Sequence, residues 1–156
     1  MPIRSAALMA CLLVIPMAAG IVEAAGTQDR SSTRQENSMH ISIEIEGTTL
    51  AATLEDSEAA RDFASLLPLT LTLKDYAATE KVSDLPRPLS TAGAPEGVTP
   101  RTGDLAYYAP WGNLAIYYKD FGYSKGLVKL GRLDSGVELM RQPGAFKVTI
   151  RRARQP

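Results

Sequence analysis

His40-Ile41-Ser42-Ile43-Glu44-Ile45-Glu46 alternates polar and apolar residues at period two, which predicts a strand with one wet face. Gly47 turns the chain, and Thr48 to Leu54 is predicted to return as the second strand of a hairpin. The period then changes. Ala59, Phe63, Leu66 and Leu67 recur at helical spacing, so a helix is expected from an Asp56 or Ser57 cap to a stop at Pro68. Leu69-Thr70-Leu71-Thr72-Leu73 alternates again and predicts a third strand running to Tyr76. Residues 77–102 show no periodicity and carry Pro86, Pro88, Pro95 and Pro100 with Gly93 and Gly97, so they read as one long irregular connection. A hairpin of Asp104–Ala109 and Asn113–Tyr118 follows, then a strand at Leu127–Arg132. Ser135 with Glu138 predicts a capping box on a single helical turn, and Ala145–Ile150 closes the chain as an alternating strand. Many short strands with one good helix predict a mainly β fold, a small closed β-barrel with one main α-helix.

The ends of the chain follow other patterns. Arg4 precedes an almost unbroken apolar run from Ala6 to Ala19, and Val22-Glu23-Ala24 offers small residues at signal-peptidase positions. Residues 1–24 are therefore expected to be a signal peptide, cleaved after Ala24, and the chain to be periplasmic or secreted. The run is too short for a stable membrane span in the mature form. Leu8-Met9-Ala10-Cys11 has the outline of a lipoprotein box, but Leu12-Leu13-Val14-Ile15 continues apolar where a lipoprotein turns polar. Residues 25–38 contain no large apolar side chain and are expected to be a disordered tether. The folded domain is expected over residues 39–152, followed by a basic tail at 153–156.

Composition removes several chemistries. The 156-residue chain has room for one domain with a real core. Its net charge is zero, so it has no bulk attraction to nucleic acid or anionic lipid. Residues 119–156 carry nine Lys or Arg against three Asp or Glu, which we read as a solvated strand end and tail. Cys11 is the single cysteine and lies in the leader, so a mature domain has no disulfide, thiol nucleophile or zinc–thiolate site. His40 is the single histidine, which excludes a multi-histidine metal site, and at a strand start it reads as an edge residue rather than a catalytic base. No serine sits in a nucleophile-elbow context, and neither a Walker loop nor a Rossmann glycine pattern occurs. No cofactor or metal is expected.

Seven of the ten aromatic residues lie between Tyr107 and Tyr123. Adjacent tyrosines put one ring on each face of a strand, so one of each pair is expected in the core and one outside. Leu114, Ile116 and Tyr118 share one face of their strand, and Ala115 and Tyr117 the other. Tyr107, Tyr108, Trp111, Tyr117 and Tyr123 are thus candidates to floor or rim an apolar groove, with Arg87 and Arg101 from the long loop as candidate polar groups. Aromatic rings also simply suit strands, and both readings stay open here.

The segment Gly103-Asp104-Leu105-Ala106-Tyr107-Tyr108-Ala109-Pro110-Trp111-Gly112-Asn113, with Gly126-Leu127-Val128-Lys129-Leu130-Gly131 and Asp134-Ser135-Gly136, resembles the prokaryotic branch of the cyclophilin-like proteins. The helix around Ala60-Arg61-Asp62-Phe63 is similar to the first helix of cyclophilins, with Phe63 as its buried aromatic. The resemblance spans Met39 to Arg152 and implies a cyclophilin-like barrel. It also implies, for true cyclophilins, isomerisation of X-Pro bonds by an arginine from a Phe-His-Arg strand beside a proline pocket. Here the matching strand is Leu69-Thr70-Leu71-Thr72-Leu73, with neither residue, and the usual groove glutamine is replaced by Ala115 before Ile116-Tyr117. The expectation is an exported module binding an unidentified small molecule or peptide. The alternatives are a prolyl isomerase with a rearranged site, and a structural or interaction domain with no ligand. The deciding observation is whether an arginine points into a concave aromatic groove.

Overall fold

The computed structural model describes residues 39–153. The expected leader, the tether and most of the basic tail lie outside the described residues. Ten strands and two helices follow in order: β1 (Met39–Ile45), β2 (Thr48–Leu54), α1 (Glu58–Ser65), β3 (Leu69–Tyr76), β4 (Glu80–Asp84), β5 (Gly97–Val98), β6 (Asp104–Tyr108), β7 (Asn113–Tyr117), β8 (Ser124–Lys125), β9 (Leu127–Leu133), a 3-10 helix (Val137–Arg141) and β10 (Phe146–Arg152). Eight strands close into an antiparallel barrel in the order β1-β10-β3-β4-β7-β6-β9-β2, and β5 pairs with β8 as a separate ribbon. Closure leaves no open sheet edge in the barrel itself. The fold class expected from the alternating strands is the one observed.

The period-two pattern sets the interior. Ile41, Ile43 and Ile45 of β1 face Leu50, Ala52, Val148 and Ile150 in neighbouring strands, and all are buried. Ser57 caps α1 by accepting from the Ala60 amide at 3.2 Å, and Ala59, Ala60, Phe63 and Ala64 carry the helix's apolar stripe into the same core. Arg152 closes the other end of the helix, donating from Nε and Nη2 to the Ala64 carbonyl at 3.1 and 3.0 Å. His40 lies exposed at the start of β1, 3.2 Å through Nδ1 from the Thr53 hydroxyl.

Two sequence expectations are corrected. Residues 77–102 are not one irregular connection, because β4 lies inside them and completes the barrel wall between β3 and β7. Its inward position holds Lys81 instead of an apolar residue. The Lys81 ammonium is fully buried and donates to the Gln142 and Gly144 carbonyls at 2.6 and 2.9 Å while meeting Asp75 at 2.8 Å. A lysine at a core position erases the hydrophobic alternation that marks a strand. The β3–β4 turn also hides itself, since Ala77 and Ala78 take positive φ without the usual glycine or asparagine. The second correction is the capping box. No side chain caps the 3-10 helix, because Gly136 precedes it at φ 77° and a Cβ there would meet Leu50 Cδ2 at 2.5 Å.

Candidate functional site

Strands β6 and β7 have two apolar faces. Leu105, Tyr107, Leu114 and Ile116 point into the barrel, whereas Ala106, Ala115 and Tyr117 form a second cluster with Leu127. Val82 of β4 and Val98 of β5 pack on this outer cluster, so the β5–β8 ribbon is anchored over the outside of the wall. The Gly126 amide donates to the Glu96 carbonyl at 2.7 Å, and the Ala109 amide to the Gly126 carbonyl at 3.0 Å, tying the ribbon to the β6–β7 loop.

Between wall and ribbon lies a cavity of about 390 Å³. Its walls are Tyr76, Glu80, Val82, Tyr108, Trp111, Asn113, Ala115, Tyr117, Phe121, Ser124 and Lys125. The register explains how these meet. Glu80 opposes Tyr117, Val82 opposes Ala115, and Tyr108 opposes Asn113, all side by side on one face of the sheet. The small pair Val82 and Ala115 leaves the middle of that face low, with larger side chains at both ends. Trp111 is projected by a tight loop in which the Trp111 and Gly112 amides donate to the Tyr108 carbonyl at 3.2 and 2.9 Å. It reaches across the depression, with its ring edge-to-face against Tyr76 at 5.3 Å and Tyr108 at 5.2 Å. Trp111 nevertheless stays 55 % exposed.

Electrostatics concentrate at one end. Burial pushes the Glu80 carboxyl up, partly opposed by the hydrogen bond from its neighbour Thr79. Burial also holds the Tyr117 phenol well above its ordinary range, and Glu80 and Tyr108 add to that through charge. The polar ends of Glu80 and Tyr108 are therefore each within electrostatic reach of the Tyr117 phenol. At the opposite end, Asn113 is buried, and its Oδ1 is the one buried side-chain polar atom without a hydrogen-bond partner among the described residues.

Of the candidates named from sequence, Tyr108, Trp111 and Tyr117 share this cavity. Tyr107 faces the barrel interior, where its hydroxyl accepts from the Leu89 amide at 3.2 Å. Tyr123 is exposed and is not among the cavity walls. Arg87 is held at α1 by Asp62, at 2.5 and 3.0 Å, and by the Ser65 hydroxyl. Arg101 pairs with Asp120 at 3.1 Å, outside the walls. Lys125 is the cation on the rim, 3.1 Å from Glu96. Sequence reasoning missed Tyr76, Glu80, Val82, Asn113, Ala115, Phe121, Ser124 and Lys125 as cavity residues. Phe121 lay within the aromatic cluster, and Ala115 was already assigned to the face of Tyr117. Glu80 and Val82 gave no signal, because they belong to the strand masked by Lys81. Among the described residues no cluster of His, Cys, Asp and Glu is arranged to hold a metal ion.

A family model described as the Cyclophilin-like family matches residues 43–151, nearly the whole of the described domain. The chain belongs to the cyclophilin-like family. Its barrel is similar to the solution structure of the hypothetical protein AF2241 from Archaeoglobus fulgidus, with a TM-score of 0.55 at 19 % identity over 74 % of this chain and 95 % of that one. At that identity the likeness establishes the fold. No curated protein matches the chain.

Proposed function

We propose that this cyclophilin-like domain is an exported binding module that takes a small molecule or short peptide segment in the outer-wall cavity. The observation that carries the reading is Trp111, a large apolar ring left half in solvent and braced edge-on between two tyrosines above a low floor. Exposed aromatic surface gathered around a concavity is what small-ligand sites have in common. The absence of arginine from the walls favours binding over prolyl isomerisation. Export rests on Arg4, the apolar run and Val22-Glu23-Ala24. N-terminal sequencing of the exported chain is expected to start at or near Ala25, and a retained Met1 or a lipid on Cys11 would overturn export.

The binding reading is tested by native mass spectrometry of the chain purified from its producing cells. The expected result is a non-covalent adduct that is lost from Trp111→Ala while the variant keeps its fold. Removing such an anchor weakens binding by about 2 kcal/mol, some thirtyfold. An adduct equally abundant in the variant would move the ligand elsewhere. A parent with no adduct would favour the interaction domain without a ligand.

A further inference from the structure

We propose that the cavity binds a small organic cation carrying N–H donors, its charged nitrogen between the Glu80 carboxylate and the Tyr76–Trp111 rings and a second donor at Asn113 beside Tyr108. The proposal rests on the reading of the cavity as a ligand site, and three independent features of the walls lead to it.

The first is the arrangement of rings. Trp111 stands at 82° to Tyr76 and 85° to Tyr108, with centroids 5.3 and 5.2 Å apart, so the three rings form two nearly square corners. Rings set at right angles present both faces and edges to one enclosed space, and the electron-rich faces attract an ammonium or guanidinium.

The second is the carboxylate. Glu80 is 7 % exposed, and the hydrogen bond it receives comes from the Thr79 hydroxyl. Asp84, the register partner of Asn113 on the same strand face, is exposed to solvent, whereas Asp75 meets the inward Lys81 at 2.8 Å and Asp104 meets Lys129 and Arg132 at 3.3 and 3.2 Å. Among the described residues no ion pair includes Glu80, while Lys125 on the rim is engaged by Glu96. A buried carboxylate without a counter-charge is costly, and a ligand cation removes that cost. Burial correspondingly pushes the Glu80 carboxyl up.

The third is Asn113. Asn113 is a cavity wall whose buried Oδ1 has no donor, so a ligand N–H reaches it once the side-chain amide turns toward the cavity. An N–H group satisfies it, whereas a fully alkylated nitrogen or a carboxylate does not. Asn113 and Tyr117, the register partner of Glu80, are four residues apart on β7, about 13 Å along the strand. The low Val82–Ala115 floor between them gives room for an apolar body linking two donors.

The test uses Trp111, the single tryptophan of the chain, whose fluorescence reports on this cavity directly. Four probes of one shape are titrated into the full chain: doubly protonated 1,4-bis(aminomethyl)benzene, its permethylated form, 1,4-benzenedimethanol and 1,4-phenylenediacetate. The diammonium is expected to bind about tenfold or more tighter than the diol and the permethylated cation, with the diacetate weakest. Glu80→Gln is expected to remove that advantage over the diol, and a far-UV circular dichroism spectrum matching the parent's shows that the variant is folded. A diol or diacetate that binds as tightly as the diammonium overturns the cation while leaving the ligand site standing. A permethylated cation equal to the diammonium overturns the N–H acceptors. Silence from all four probes also overturns the proposal, and the ligand-site reading is then decided separately by the adduct experiment.

Discussion

Asp62 is the charged anchor of the irregular stretch that follows β4. Its two oxygens accept from Arg87 Nη2 at 2.5 Å and Nη1 at 3.0 Å, and Oδ2 also accepts from the Ser90 amide at 2.7 Å. A bidentate guanidinium with a backbone donor stabilises the ionised form, so the Asp62 carboxyl falls from 3.8 to about 2. The sign of the linkage follows. A depressed carboxyl contributes stability above its unfolded pKa and loses it as pH falls through the folded value, here between about pH 4 and pH 2. Asp62→Asn keeps the shape and removes the charge. It is expected to cost about 1 kcal/mol near neutral pH, with the difference from the parent shrinking as pH falls through that window. Urea midpoints of both proteins across acid pH check it, and a difference that stays constant down to pH 2 would remove Asp62 from the account of acid sensitivity.

At the scale of elements, the position of the β5–β8 ribbon depends closely on one residue. Gly97 lies against β8 so tightly that a Cβ would press on the Ser124 carbonyl oxygen and come within 2.8 Å of the Lys125 Cα. Both neighbours are backbone, which cannot swing aside as a side-chain end can. Gly97→Ala is therefore expected to lift β5 off β8 and open the cavity at Ser124 and Lys125, while the barrel strands keep their pairing. Amide exchange would show it as faster exchange in 96–98 and 124–126 with barrel protection unchanged, and an unaltered ribbon would contradict the close approach. The ribbon also marks the limit of what sequence patterns reveal. Strands β1, β2, β3 and β10 alternate because one face is core and one is wet, and α1 repeats because Phe63 and its alanines share a stripe. Those elements were legible for that reason. Strand β4 was not, since Lys81 meets its inward requirement with carbonyls and Asp75 instead of with hydrocarbon. Two-residue strands such as β5 and β8 have no period at all. The site was legible to the same degree: Tyr108, Trp111 and Tyr117 stood out as aromatics, whereas Glu80 and Asn113 acquire meaning only from the register that sets them at opposite ends of one floor.

For the whole molecule, the barrel places a second apolar layer outside its structural wall, and the proposed ligand rests on that layer. What that face can do to an X-Pro bond follows from its donors. The barrier to isomerisation comes from amide conjugation, and lowering it needs a donor aimed at the prolyl nitrogen as the carbonyl rotates. The arginines expected as polar groups of the groove are committed elsewhere, Arg87 to Asp62 at α1 and Arg101 to Asp120 beyond the walls. On the walls, Glu80 and the Asn113 oxygen are acceptors, and the cation is Lys125 on the ribbon, 3.1 Å from Glu96. The other wall donors are hydroxyls, the Trp111 indole and the Asn113 amide, and none is the guanidinium that the cyclophilin mechanism requires. The full chain is therefore expected to leave the isomerisation rate of a standard X-Pro peptide at its uncatalysed value. A coupled cis–trans assay with equimolar chain checks this. Turnover that disappears in Lys125→Ala or Arg101→Ala would establish a relocated donor and reverse the assignment from binding to catalysis. Turnover unaffected by either change would instead locate the donor in the backbone of the wall or ribbon.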